Sequence, residues 1–271
     1  MPSPPKDLDA LARALLATGP VKTLPAAPKR VRIRLGGRFV ADSTAAVYVW
    51  EHAYYPTYYL PRAAFAPEVL LEREGENQSE KKGYRLATLR VGDVFTDRVI
   101  VFSDDGENGK GEGKVLAGLV RVEFAAADAW FEEDARIDVH PKDPFKRVDV
   151  VFSTRPVRVL VAGVEVARAP ASFHLYETGL PVRFYLPPAS VHTQFLRDSA
   201  TVTACPYKGE ANYYDVVLSG EEEEGRKDLV WYYKNPKMEC AAIAGCLCFY
   251  NEKVDIELDG AVLERPKTHF A

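Results

Sequence analysis

Apolar and polar residues alternate along most of the chain in short runs that Gly, Pro and Asp interrupt. This period of two residues predicts strands with one buried face, and the interruptions predict turns between them. The clearest examples are two hairpins, Val31–Leu35 with Arg38–Ala41 around Gly36-Gly37, and Val157–Val161 with Val164–Ala167 around Ala162-Gly163. The pattern predicts a mostly β protein made of antiparallel sheets with a few short helices.

The two hairpins belong to a longer repetition. Shifting the chain by 126 positions, from Gly37 to Gly163, also aligns two glutamates, two tyrosines and two prolines. These pairs are Glu51 with Glu177, Tyr59 with Tyr185, and Pro61 with Pro187, while Ala117–Leu119 and Ala244–Cys246 match at a shift of 127. Alternation by itself aligns only apolar positions, so matches of several residue types indicate an internal duplication.

The duplication predicts three segments. Residues 30–144 form a first β-rich repeat and residues 145–271 a second, because the Pro-containing stretch 140–144 breaks regular structure. Residues 1–29 hold an amphipathic helix and a linker. We expect that helix to start near Ser3, to end at Gly19 and to bury one leucine face, made of Leu8, Leu11, Leu15 and Leu16.

Composition narrows the class of protein. Of the 271 residues, 47% are hydrophobic and 27% charged, as in a soluble globular protein with room for two cores. A net charge of -4 disfavours nucleic acid and anionic membrane as partners. The chain has no apolar run of membrane-spanning length, and charges interrupt its N-terminal apolar stretch, so we predict a cytoplasmic protein. Its four cysteines lie in the last quarter, which favours reduced thiols.

Polar and aromatic motifs concentrate in the second repeat. They are Glu177–Pro181, Arg183–Tyr185, the Cys-Pro-Tyr-Lys-Gly run Cys205–Gly209, Tyr213-Tyr214 and Trp231–Tyr233. Through these motifs the chain resembles the family known as domain of unknown function 427, which is also labelled a nucleotidyltransferase-type domain. The resemblance covers most of residues 30–262 and implies a small β-rich fold in tandem, but it brings no activity.

The first repeat departs from this pattern. We align Thr88–Gly92 with the Cys-Pro-Tyr-Lys-Gly run, and this stretch has neither the cysteine nor the lysine. The alignment predicts a degenerate site in the first repeat and a complete one in the second.

Three residues of the second repeat are candidates for catalysis. Lys208, in a tight turn among aromatic residues, could hold an anion or, if desolvated, lose its proton and act as a base or nucleophile. Glu177 could be its counter-charge, and Cys205 could be a nucleophile if it were a thiolate. The structural alternatives are an ion pair between Lys208 and Glu177 and simple packing of Cys205.

Five further residues are candidates for ligand binding, namely Arg183, Tyr185, Tyr214, Trp231 and Tyr233. An arginine can bind a carboxylate or phosphate in bidentate fashion, tyrosines add hydroxyl groups of fixed direction, and tryptophan adds an apolar wall. Together they predict a concave site for a small, partly anionic molecule. The alternative is that the aromatic residues only pack the core or its rim.

Several functions remain open at this level. The chain could be a small-molecule enzyme, a ligand-binding module without chemistry, or a protein-interaction scaffold. A scaffold would present aromatic clusters to a partner, namely Tyr54-Tyr55, Tyr58-Tyr59 and Trp231–Tyr233. A nucleotidyltransferase fits less well, because we find no paired carboxylates that would hold magnesium beside phosphates.

The sequence predicts neither a cofactor nor a metal. Cys240, Cys246 and Cys248 lack the paired Cys-x-x-Cys knuckles of a zinc site. Whether the repeats pair within one chain or in a homo-oligomer stays open.

Overall fold

The computed structural model of the chain describes residues 7–72, 83–104, 112–218 and 226–268. The chain divides into two compact units, Met1–Asp143 and Pro144–Ala271, called unit 1 and unit 2 below. Each unit holds a seven-stranded and a four-stranded antiparallel sheet. The predicted fold class, two tandem antiparallel β-rich domains with a few short helices, is confirmed.

Unit 1 opens with the helix α1, Leu8–Thr18, which eleven strands of its described part follow. The strands are β1 (Lys22–Pro25), β2 (Val31–Leu35), β3 (Arg38–Ser43), β4 (Val47–Trp50), β5 (Thr57–Pro61), β6 (Leu70–Glu72), β7 (Tyr84–Val91), β8 (Val94–Phe102), β9 (Leu119–Val122), β10 (Ala129–Glu132) and β11 (Ala135–Ile137). Short 3₁₀ helices cover Arg62–Ala64, Glu112–Leu116 and Phe124–Ala126. The sheet orders are β1-β4-β5-β9-β8-β7-β6 and β11-β10-β2-β3.

Unit 2 also has eleven strands among its described residues. They are β12 (Val148–Ser153), β13 (Val157–Val161), β14 (Val164–Ala169), β15 (Ser172–Glu177), β16 (Arg183–Leu186), β17 (Leu196–Cys205), β18 (Gly209–Val216), β19 (Val230–Tyr232), β20 (Leu247–Phe249), β21 (Asp255–Leu258) and β22 (Ala261–Val262). Its 3₁₀ helices cover Pro188–Ser190, Thr193–Phe195 and Met238–Ile243. The sheet orders are β12-β15-β16-β20-β19-β18-β17 and β14-β13-β21-β22.

The two units share one topology. Each strand of unit 2 corresponds to the strand of unit 1 whose number is eleven lower, so that β12 corresponds to β1 and β22 to β11. With this correspondence both sheet orders match strand for strand. The tandem duplication predicted from the 126-residue repeat is therefore confirmed.

In each unit the inner faces of the two sheets enclose one hydrophobic core. The opposite, outer face of the seven-stranded sheet carries a second, smaller cluster. Because strand residues alternate between the two faces, this sheet is buried on both sides, and the outer cluster is where the two units differ.

The predicted hairpins are confirmed. Both are closed by two-residue turns in which each central residue has a positive φ, 56° and 74° at Gly36 and Gly37, 47° and 78° at Ala162 and Gly163. This conformation matches the twist of the flanking strands and is the one that glycine adopts without steric cost. In unit 2 the first of these two positions is an alanine, Ala162, which adopts the positive φ despite its Cβ atom.

The N-terminal helix is also found, but its start was predicted too early. α1 begins at Leu8 because the carboxylate of Asp7 accepts hydrogen bonds from the backbone N–H groups of Asp9 and Ala10, at 2.9 and 3.1 Å. Ser3 lies outside the described residues. The helix ends at Thr18, and Gly19 caps it, as predicted. Within the described ranges, no helix is long and apolar enough to cross a membrane.

Candidate functional site

The sequence-predicted site maps to the outer face of the seven-stranded sheet of unit 2. The hydrophobic residues of that face, called the outer-face cluster below, are Leu175, Tyr185, Ala211, Tyr213, Trp231, Tyr233, Cys240, Ile243, Cys246 and Cys248. Glu177 lies at the end of β15, and Lys208 lies in the turn between β17 and β18. These two charged residues form the polar edge of the cluster.

Lys208 and Glu177 form an ion pair, with 2.5 Å between Nζ and Oε2. Their side chains are only 13% and 7% exposed, so both charges are largely withdrawn from water. Burial tends to lower the pKa of Lys208, but the neighbouring Cys205 and Glu177 outweigh it and raise that pKa above its ordinary value. Lys208 therefore stays an ammonium ion at neutral pH, which disfavours the predicted role of base or amine nucleophile.

The turn that carries Lys208 is fixed by its glycine. Gly209 has a φ of 102°, and a Cβ there would lie 3.2 Å from the carbonyl oxygen of Asn235. The backbone carbonyl of Lys208 accepts a hydrogen bond of 3.0 Å from the N–H of Lys237. Together these features anchor the backbone of the turn.

The ion pair leaves hydrogen-bonding capacity unused. A lysine ammonium has three donors, and Glu177 is the acceptor found for Lys208 among the described residues. Within the same part of the chain, nothing else donates to the carboxylate of Glu177. The edge of the cluster therefore presents donors and an acceptor side by side.

Aromatic residues stand behind the pair. The hydroxyl of Tyr185, which is fully buried, accepts a hydrogen bond of 3.0 Å from Nε1 of Trp231. The ring centroid of Tyr233 lies 6.4 Å from that of Tyr185, and the ring of Tyr250 lies 4.5 Å from that of Trp231. Burial raises the pKa of Tyr185 and Tyr233 far above the ordinary value, so both stay neutral phenols. These aromatic rings form an apolar wall, and their hydroxyl and indole N–H groups are its polar atoms.

Arg183 does not offer its guanidinium group to a ligand. Its two terminal nitrogens donate to the two oxygens of Glu252, at 2.7 and 2.8 Å, within the protein. Burial opposes the ionisation of Glu252, yet the hydrogen bonds from Arg183 and from Thr268 hold the pKa of that carboxyl at about 2. The predicted ligand contact through Arg183 is corrected to a structural ion pair that packs on Trp231.

Tyr214 lies on the wrong face of the sheet for the predicted site. Its ring stacks on Tyr232, 4.9 Å between centroids, and packs against the inner core. Because neighbours on a strand point to opposite faces, Tyr213 is the residue that joins the outer-face cluster. Its hydroxyl lies 2.7 Å from Oγ1 of Thr203. Tyr213 and Tyr250 are site residues that sequence reasoning missed.

Unit 2 contains four free cysteines. Cys205 is partly exposed and interacts electrostatically with Lys208, whereas Cys240, Cys246 and Cys248 are buried. Burial raises the pKa of Cys240 to about 11, so it is a thiol at neutral pH. The described residues include no group of three or more His, Cys, Asp or Glu side chains arranged to hold a metal ion.

The counterpart of Glu177 in unit 1 is Glu51, whose carboxylate oxygens already accept hydrogen bonds from their own unit. Glu51 accepts hydrogen bonds from the hydroxyl of Tyr59 at 3.1 Å and from Nε and a terminal nitrogen of Arg121 at 2.8 and 3.2 Å. Arg121 is 4% exposed and pairs across the sheet with Tyr59, as Cys248 does with Tyr185. The position that is Arg121 in unit 1 is therefore Cys248 in unit 2.

The counterpart of the Cys-Pro-Tyr-Lys-Gly run was predicted wrongly. That run joins β17 to β18, and its topological equivalent joins β6 to β7, whereas Thr88–Gly92 lies at the end of β7 and in the turn after it. The equivalent connection ends in Lys82-Gly83, and Gly83 has a φ of 101° against 102° at Gly209. Unit 1 keeps the Lys-Gly pair in sequence, although Lys82 lies outside the described residues.

The helix α1 covers the outer face of unit 1. Leu8, Ala12 and Leu15 pack there against aliphatic and aromatic residues of β4, β5, β7 and β8, and the hydroxyl of Tyr84 donates to Asp9 at 2.6 Å. The described part of unit 2 has no such helix, and its equivalent surface is richer in tyrosine, tryptophan and cysteine.

Comparison with known families gives two matches to one family. Its description is "Domain of unknown function (DUF427)", and the matched residues are 23–133 and 149–260. Each match lies within one unit, and the two together cover most of the chain. No curated protein matches the chain.

Proposed function

The chain belongs through both of its units to the family of domain of unknown function 427, and we propose that unit 2 is a small-molecule-binding domain. One observation carries the proposal. The largely buried pair of Glu177 and Lys208 keeps unused hydrogen-bonding capacity, whereas Glu51 in unit 1 accepts three hydrogen bonds from its own unit. No unpartnered atom of Glu177 or Lys208 is fully buried, so the spare donors and the acceptor of this pair lie within reach of a ligand.

The geometry defines the chemistry of that ligand. The free N–H groups of Lys208 suit a carboxylate, phosphate or carbonyl oxygen, and the carboxylate of Glu177 suits a hydroxyl or amine hydrogen. Because the pair is neutral overall, it would not balance several negative charges, so we expect a ligand with at most a small anionic charge. Trp231 and Tyr250 suit an apolar or aromatic part of the same molecule.

Binding without turnover agrees better with the site than catalysis. The raised pKa of Lys208 removes the most direct base, and chemistry would then rest on Glu177 or Cys205. A scaffold built on the aromatic clusters is only partly supported, because Tyr58 and Tyr59 are 1% and 0% exposed and cannot face a partner, whereas Tyr54 is 55% exposed.

Thermal unfolding with small anions tests the proposal. Benzoate and phenyl phosphate are the anionic probes, and benzyl alcohol is the uncharged one. We expect an anionic probe to raise the unfolding temperature, since a ligand at one hundred times its Kd stabilises a protein by about 2.7 kcal/mol. The double variant Glu177→Gln/Lys208→Met removes both charges while keeping side-chain volume, and it should lose the response.

The matched control is Glu51→Gln/Arg121→Met, which makes the same change in unit 1 and should keep the response. Ligand stabilisation that survives in the unit 2 variant, or that disappears equally in both variants, would remove the site. A wild-type protein that responds equally to benzyl alcohol would remove the role of the charge.

A further inference from the structure

A second polar surface lies in unit 1, on the outer face of its four-stranded sheet. We call it the arginine–phenylalanine face, and it consists of Arg32, Arg34, Phe39, Phe131 and Arg136. The guanidinium carbons of Arg32 and Arg34 both lie 5.6 Å from the ring centroid of Phe131, and that of Arg32 lies 4.5 Å from Phe39. The two phenylalanine rings meet edge to face at 5.4 Å, and Phe39 is 50% exposed. Both arginines pack against aromatic rings, and Arg34 does so without an acid partner among the described residues.

The positive charges of this face are only partly balanced. Arg32 contacts Asp134 at 2.6 Å, but within the described ranges no carboxylate forms an ion pair with Arg34 or Arg136. The Nε groups of Arg32 and Arg34 are buried and have no hydrogen-bond partner there. These buried Nε groups cannot reach an outside molecule, but the terminal nitrogens of Arg34 are not fully buried and can donate to an acceptor from outside.

Unit 2 shows which groups are missing. Arg32 and Phe131 are cross-strand neighbours in unit 1, and their counterparts 126 positions later are Arg158 and Glu257. Arg34 and Phe39 pair in the same way, with Leu160 and Glu165 as counterparts.

Those glutamates neutralise the face of unit 2 from within. Arg158 binds Glu257 at 2.9 Å and also binds Glu165, which in turn binds Arg168 at 2.6 Å. Unit 1 has Arg32 at the position of Arg158, phenylalanine at the positions of both glutamates, and Asp42, which pairs with Arg30, at the position of Arg168.

We propose that the arginine–phenylalanine face binds an acidic peptide segment of another protein, whose carboxylates take the places that Glu165 and Glu257 fill in unit 2. A guanidinium fork accepts a carboxylate in bidentate geometry, and stacking on Phe131 fixes the direction of that fork. Phe39 adds an exposed apolar contact for the peptide.

One observation favours a peptide over a nucleic acid. The guanidinium groups already lie over the ring of Phe131, which leaves less of its surface for base stacking.

Fluorescence anisotropy with a labelled hexaglutamate peptide tests this surface, and hexaglutamine is the matched uncharged peptide. The wild-type protein should bind hexaglutamate at low ionic strength, more weakly at high ionic strength, and should not bind hexaglutamine. Arg34→Leu and Phe131→Glu install the residues of unit 2, and each should weaken binding by about tenfold or more, since one charge-assisted pair is lost. Phe39→Glu, at an exposed position, serves the same purpose if Phe131→Glu does not fold.

Arg168→Leu is the control, because it removes an arginine of the neutral face of unit 2 and should leave binding unchanged. Equal binding of both peptides would overturn the proposal, and so would folded Arg34→Leu and Phe39→Glu variants that bind like wild type. Tighter binding of a deoxythymidine oligonucleotide than of hexaglutamate would assign the face to nucleic acid and overturn it as well.

Discussion

The outer faces of the two seven-stranded sheets have the same strand order and different chemistry. In unit 1 the acid at the end of β4, Glu51, is neutralised by Arg121 and receives a further hydrogen bond from Tyr59. In unit 2 the equivalent acid, Glu177, has Lys208 as its donor, and Cys248 stands where the arginine would be. One residue on the strand next to the tyrosine thus separates an acid that receives three hydrogen bonds from its own unit from an acid with capacity to spare. Arg121 itself keeps one buried terminal nitrogen without a hydrogen-bond partner among the described residues.

The covering of the two faces differs as well. Unit 1 covers its face with leucines of α1, whereas the described part of unit 2 has no such helix and its outer-face cluster is richer in tyrosine, tryptophan and cysteine. Duplication therefore preserved the inner core, which determines the fold, while the outer face diverged. The same holds for the four-stranded sheets, where unit 2 balances its charges internally and unit 1 does not.

The largest effect should come from breaking the buried ion pair of unit 1. Arg121→Met leaves Glu51 buried with one hydrogen bond, which should lower the free energy of unfolding of unit 1 by about 4 kcal/mol. Lys208→Met should cost less, because Lys208 is more exposed than Arg121. Chemical denaturation of both variants measures the difference, and an equal or larger loss in Lys208→Met would contradict the contrast.

A somewhat smaller effect should follow from weakening the helix cover of unit 1. Leu15→Ala removes a buried side chain between α1 and the sheet and should cost about 3 kcal/mol. Arg13→Ala, on the exposed side of the same helix, is the control and should change stability by less than about 0.5 kcal/mol. If denaturation gave similar values for the two variants, α1 would not be part of the core of unit 1.

A third contrast between the units concerns their stability at low pH. The pKa of Glu252 is about 2 in the folded protein and 4.5 ordinarily. A depressed pKa means that its contribution to stability is complete above pH 4.5 and is lost as the pH falls from 4.5 towards 2. Unit 1 has Thr57 at the position of Arg183, so the arginine of the pair has no counterpart there.

Glu252→Gln should therefore reduce the acid dependence of unit 2 and lower its stability at neutral pH. The measurement is the unfolding temperature of wild type and variant between pH 2 and 7. Parallel curves for the two proteins would show that Glu252 does not titrate in this range.

The smallest effect should come from His174, the counterpart of Tyr48 in unit 1. Its side chain is buried edge-on to Phe184, and its Nε2 has no hydrogen-bond partner among the described residues. Burial, with Arg155, lowers the pKa of His174 below 6.5, so the stability it contributes is present above pH 6.5 and falls as the pH drops below that value. His174→Phe should reduce this dependence. Unfolding temperatures at pH 7.5 and 5.5 check it, and an unchanged difference between them would contradict it.

Much of the fold could be predicted from the sequence, because alternation and turn residues act locally. The strands β2 and β13 were predicted to the residue, and the repeat spacing revealed the shared topology. The 126-residue spacing also points from Lys208-Gly209 to Lys82-Gly83, so the correct counterpart of the motif was within reach of the sequence.

The composition of the site could be predicted only in part, because it depends on register and on distant partners. Motif spacing singled out Glu177 and Lys208, which do meet. Choosing Tyr213 over Tyr214 requires knowing which of the two tyrosines is the cross-strand neighbour of Trp231. That depends on the register between β18 and β19, which local sequence does not reveal. The pairing of Arg183 with Glu252 spans 69 positions and follows no local pattern.

The contrast between the two acids is tested most directly by mapping amide chemical shifts of the protein during titration with benzoate. We predict that the shifts concentrate at Glu177, at the turn that carries Lys208 and around Trp231, that they saturate, and that they vanish in Glu177→Gln/Lys208→Met. Saturating shifts centred on Glu51 and Arg121, or the same shifts at the outer-face cluster in that double variant, would contradict the account.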